Sequence, residues 1–125
     1  MTDTERAIAT DETIELIASN KVEGTTVYNE DGDRLGTILN FMVNKYDGQV
    51  EYAVLQFGGL FGLGSDHYPL PWDLLSYDEE QGGYVVDIDK EMLEQAPRYG
   101  AEEPIFDRAF GEQVYGHYGI PYPVV

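Results

Sequence analysis

The sequence predicts a mainly β protein: a small antiparallel barrel of about five to six strands, with short helices and a C-terminal helical and aromatic extension. Three observations predict it. Runs rich in β-branched and aromatic residues recur along the chain: "TTVY", "RLGTILNFMVNKY", "VEYAVLQF", "HYPLPW" and "YVVDI". Turn signals separate them, with Asp-Gly at Asp31-Gly32 and Asp47-Gly48 and an acidic "DEEQGG" before the last run. No apolar run approaches the roughly 18 residues that mark a membrane-spanning helix.

The elements follow in order. Residues 1–15 are polar and acidic and read as a mobile leader. They carry neither the basic start nor the apolar stretch of a secretory signal. Residues 16–97 read as the barrel domain. Ser19 is placed to cap a helical turn, Asn20 to Glu23, closed by Gly24. "TTVY" is a strand, and "NEDGD" (Asn29–Asp33) turns into the long run from Arg34. There, Leu35, Leu39, Phe41 and Val43 share one parity and Ile38 and Met42 the other, which predicts a strand covered on both faces for part of its length. Gly36 relieves crowding where that strand bends. "VEYAVLQF" continues the meander. "HYPLPW" is extended, because a residue before Pro avoids helical geometry. Asp89 is a good N-cap for "KEMLEQA", a short helix ending before Pro97.

Residues 98–125 form the extension, packed on the barrel or on a partner. Glu103-Pro104 reads as a helix start with Pro in the first turn. Phe106, Phe110 and Val114 recur every four residues, with Ile105 and Ala109 beside them, as one apolar stripe interrupted at Gly111.

The chain has 125 residues, which suits one domain. Its formal charge is −17, from 24 acids against 7 bases. That argues against nucleic acid, whose phosphates are bound by Lys and Arg. It argues equally against an anionic membrane surface. A basic protein partner or a cation-rich environment fits such a field better. There is no Cys, which removes disulfides, thiolate catalysis and Cys-based zinc sites.

"FGGLFGLGSDHYPLPW" (Phe57–Trp72) has the glycines of a phosphate loop but no Lys and no helix after it. It reads as a connector, with Leu60, Phe61 and Leu63 folding over one barrel end. Asp66 and His67 are candidate metal or ligand residues, with His117 joining them if the tail folds back. As neighbours on a strand, Asp66 and His67 point to opposite faces. Asn29, Glu30, Asp31 and Asp33 lack the spacing of a calcium loop and read as a solvated hairpin tip, as do Asp78, Glu79 and Glu80. No serine has a nucleophile-elbow context. The tail carries the residues most suggestive of partner binding: Phe106, Phe110, Tyr115, Tyr118 and Tyr122, rigid and amphipathic like interface residues.

The pattern resembles the PRC-barrel domain. "LIAS" with Val22-x-Gly24-x-x-Val27-Tyr28 is similar to the opening of that domain, and "DGDRLGTI" to its turn into the long strand. "GGLFGLGSDHYPLPWDLL" and "GGYVVDIDKEMLEQAP" resemble its middle and end. The likeness runs from about residue 16 to 97, and the tail resembles the aromatic tail of some short bacterial members. The family includes the cytoplasmic domain of the photosynthetic reaction-centre H subunit and the C-terminal domain of RimM. The resemblance implies a non-enzymatic assembly module with a protein partner, a second copy of the chain among the candidates. No cofactor is expected; the charge and the lack of a long apolar run predict no nucleic-acid partner and no membrane insertion, and the expected place is the cytoplasm or beside the inner membrane through a partner. The competing expectation is a small-ligand or metal-binding regulator using Asp66, His67 and His117.

Overall fold

The computed structural model describes residues 15–57 and 66–123. Six strands form one sheet: β1 (Thr26–Asn29), β2 (Arg34–Val43), β3 (Val50–Phe57), β4 (Asp66–Pro71), β5 (Ser76–Asp78) and β6 (Gly83–Val86). Among the described residues three α-helices accompany them, α1 (Ser19–Val22), α2 (Lys90–Glu94) and α3 (Arg108–His117), with a short 3-10 turn at Trp72–Leu74. The fold class is the one the sequence predicts.

The turns are built by one device. Asn29 Oδ1 accepts from the Asp31 and Asp33 amides at 3.0 and 2.9 Å. Asn44 Oδ1 does the same for Tyr46 and Asp47, and Asp78 Oδ1 for Glu80 and Gln81. Each turn then reverses at a glycine with positive φ: Gly32, Gly48 and Gly82. The acidic hairpin tips are thus explained by turn chemistry.

β1 to β4 form an antiparallel meander. The hairpin β5–β6 then docks on β1, so the strand order is β4-β3-β2-β1-β6-β5. β6 runs parallel to β1, with Val27 opposite Tyr84. The sheet is therefore mixed, where the sequence predicts an antiparallel barrel. A tight turn dictates direction only between strands it joins. β1 and β6 are joined through all the intervening strands, so no local signal sets their sense. No pairing closes the sheet between β4 and β5 among the described residues.

β2 does not alternate simply. Its pairing with β3 gains one extra residue at Leu39, between Ile38↔Leu55 and Asn40↔Val54. This bulge, a standard way to bend a strand, leaves Leu39 and Val43 exposed while Leu35 and Ile38 are buried. At Gly36 an added Cβ would collide with the Gln56 carbonyl of β3, so only glycine allows this close approach. β3 is covered on both faces: Tyr52, Ala53, Val54 and Leu55 are all buried.

α1 begins at Ser19 itself, after an Ala18 cap that makes no side-chain bond. In α2, Asp89 accepts from the Met92 amide at 2.8 Å, the predicted cap. α3 starts later than Pro104, because Asp107 caps it by accepting from the Phe110 amide at 3.0 Å. Its buried face is Gly111, Val114 and Tyr115, whereas Ile105 and Ala109 are exposed. Gly111 sits where an added Cβ would overlap the Tyr122 ring and approach the Tyr52 hydroxyl. The interrupting glycine is the point of closest packing.

Candidate functional site

Asp66 and His67 open β4. Asp66 pairs with Arg98, Oδ2 to Nε at 3.3 Å, and Arg98 also donates to the Glu94 carbonyl at the end of α2. His67 exchanges two backbone hydrogen bonds with Tyr99, at 2.8 and 3.0 Å. Its ring meets that of Tyr99 edge-on at 5.1 Å. His67 Nδ1 is buried and has no hydrogen-bond partner among the described residues. His117, at the end of α3, donates from Nε2 to the Met92 carbonyl at 2.8 Å. Asp66 and His67 are thus both held by the Arg98–Tyr99 segment, and His117 by α2. No group of three or more His, Asp or Glu side chains able to hold a metal is found among the described residues.

The tail aromatics meet the sheet. Phe106 and Tyr115 both pack edge-on against Tyr52 of β3, at 5.3 and 5.7 Å. Phe110 packs on Phe106, and Tyr122 on Tyr115. Tyr115 and Tyr118 are buried, while Phe106, Phe110 and Tyr122 are half-buried. Burial, with the Glu51 and Asp73 charges nearby, pushes the Tyr115 hydroxyl up to about 12. Burial first and then Tyr68 push Tyr118 upward, and burial with the Tyr122 and Tyr115 hydroxyls does the same to Tyr52.

A third region was not singled out from the sequence. An open groove of about 870 Å³ runs along β5 and β6, with Ile17, Lys21 and Thr25 on its other side. Glu15, Asp78, Glu79 and Glu80 also line it. Tyr77 stands in the groove 44% exposed, backed by the ring series Tyr84, Trp72 and Phe41 at spacings of 5.3, 5.6 and 6.3 Å. Asp78 is held below the usual carboxylate range by bonds from Gln81 and Glu80, so it stays charged. In the sequence these residues look like an ordinary acidic turn. An aromatic placed just before that turn is the one signal there.

The two sheet edges differ. β4 contains Pro69 and Pro71, which have no N–H, and Tyr99 bridges it at His67. β5 ends the sheet on the other side, with β6 as its sole strand neighbour among the described residues.

A family model described as the PRC-barrel domain matches residues 14–93, well over half of the chain. The chain belongs to the PRC-barrel family. Among solved structures it is similar to one from Pseudomonas aeruginosa described as a 16S ribosomal RNA processing protein, RimM. The identity is 21% and the TM-score 0.41, over 62% of this chain and 47% of that one. This chain thus spans about half the length of that protein. A search of the curated proteins finds no match. The PRC-barrel match takes in every strand among the described residues and the start of α2, so the groove lies within it. The Tyr99 bridge and α3 follow after it. No helix among the described residues is long and apolar enough to cross a membrane.

Proposed function

We propose that this PRC-barrel protein is a non-enzymatic interaction module that docks another protein in an assembly. One observation carries the reading: a groove at an open sheet edge, with a half-exposed tyrosine among carboxylates. Aromatic anchors with a charged rim are the usual anatomy of a protein interface. The formal charge of −17 favours a protein over nucleic acid as the partner. Membership of the PRC-barrel family points the same way. Phe106, Phe110 and Tyr122, half-buried beside the exposed Ile105, offer a second, smaller contact area. Tyr115 and Tyr118 serve it by fixing α3 on the sheet.

The test is affinity capture with the full chain, followed by titration calorimetry on the purified candidate. A partner that binds in purified form supports the reading. Captured proteins that all fail to bind when purified contradict it.

A further inference from the structure

The groove also indicates what kind of partner segment it takes. We propose that β5 accepts an extended, basic segment of another protein, which adds as a strand to the free edge beside Tyr77. This rests on the reading of the domain as an interaction module.

Three features argue for it. First, an edge strand presents unpaired backbone donors and acceptors that a further strand satisfies. The opposite edge is blocked by Pro69, Pro71 and the Tyr99 bridge, so among the described residues β5 is the edge left for addition. Second, alternate side chains of an added strand face the groove lining at Ile17 and Tyr77, with Tyr77 exposed at its mouth and backed by the buried Tyr84. Apolar residues at alternate positions suit that lining. Third, the carboxylates of Glu15, Asp78, Glu79 and Glu80 line it and outnumber its one lining cation among the described residues, Lys21. The remaining positions of the segment are therefore basic.

Charge also decides against two other occupants. A second copy pairing edge to edge brings the same carboxylates together, which costs association. The chain's own residues 1–14 carry Asp3, Glu5, Asp11 and Glu12 against Arg6, and are acidic like the groove.

The probe is the amidated hexapeptide Arg-Val-Arg-Val-Arg-Val, titrated into the isotope-labelled full chain and followed by amide chemical shifts. Shift changes are expected at Ser76–Asp78, Gly83–Val86 and 17–25. The double reversal Glu79→Lys with Glu80→Lys weakens binding about tenfold, because both charges flank the bound segment. The matched reversal Glu102→Lys with Glu103→Lys, on an exposed segment outside the groove, changes it less than about twofold. N-methylation of the peptide at every residue abolishes binding, which separates strand addition from simple charge attraction.

Shifts spread over other acidic surfaces, equal loss from both reversals, full binding by the N-methylated peptide, or no binding at about 1 mM overturns the proposal. So do concentration-dependent shifts of β5 in the free chain, which mark a second copy. Contacts from residues 1–14 to Tyr77 mark the chain's own start and overturn it too. A purified partner that binds while the peptide fails removes only the groove assignment. Failure of every purified partner removes the interaction reading itself.

Discussion

Tyr115 donates a 2.9 Å hydrogen bond from its hydroxyl to the backbone carbonyl of Glu51, 64 residues earlier. Glu51 is the extra residue of β3, skipped where Met42↔Tyr52 gives way to Val43↔Val50. A bulge interrupts the strand ladder and leaves a backbone group to be satisfied elsewhere. Here the extension beyond the barrel supplies the partner, so α3 completes the sheet.

Replacing Tyr115 with Phe keeps the ring and removes that bond. The cost is about 1–2 kcal/mol, for a part-buried carbonyl left without its donor. Thermal unfolding should shift down by about 4–8 °C. An unchanged melting temperature contradicts the assignment.

The buried tyrosines predict a loss of stability at alkaline pH. Tyr115 is raised from 10.0 to about 12, and Tyr52 and Tyr118 move in the same direction. A raised folded-state pKa means that the folded chain holds its proton more tightly than the unfolded one. Stability is then fully retained below pH 10 and falls as pH rises toward the folded value. Tyr115 alone contributes a fall of about 3 kcal/mol at most. Urea midpoints measured across that range should drop, and drop less in Tyr115→Phe. A flat profile contradicts the burial of these hydroxyls.

Gly111→Ala offers a coupling test. Alanine favours a helix by about 1 kcal/mol over glycine. At this position its Cβ overlaps the Tyr122 ring and lies 2.8 Å from the Tyr52 hydroxyl. The substitution should destabilise by about 1–2 kcal/mol net, as overpacking does. In a Tyr122→Ala background much of that loss should disappear, because the main obstacle has gone. Additive losses in a double-mutant cycle contradict the contact.

Gly36→Ala meets a harder obstacle. The colliding atom is the Gln56 carbonyl, part of the backbone of β3, and cannot rotate away. A loss of about 3 kcal/mol or more is expected, with β2–β3 pairing disturbed. Denaturant unfolding measures it, and a near-neutral result contradicts the close approach.

The strands, the turns and the Asp89 cap were legible because local chemistry decides them: β-branched runs, Asx-Gly reversals and a carboxylate ahead of a helix. The crowding at Gly36 was legible for the same reason. The parallel sense of β6 was not, since no short turn joins it to β1. The exposure of Leu39 was not, since a bulge shifts parity without marking the sequence. The start of α3 was misplaced because Pro104 and Asp107 both signal a helix start, and the capping bond decides for Asp107. Asp66, His67 and His117 were visible as candidates, but their engagement with Arg98, Tyr99 and Met92 depends on how distant segments pack. The groove was hidden because Tyr77 and Ile17 are far apart in sequence and come together only as the lining of one groove.

Ser76 lies exposed on β5, and the chain has no cysteine, so Ser76→Cys gives a single site for a photo-crosslinker. Asp47→Cys at the exposed β2–β3 turn gives a matched control. Labelled full chain, irradiated in lysate of its source cells, tests the account most directly. The account predicts a protein crosslinked through a basic segment at Ser76 and absent at Asp47. The same products at both positions, or none at Ser76, contradict it.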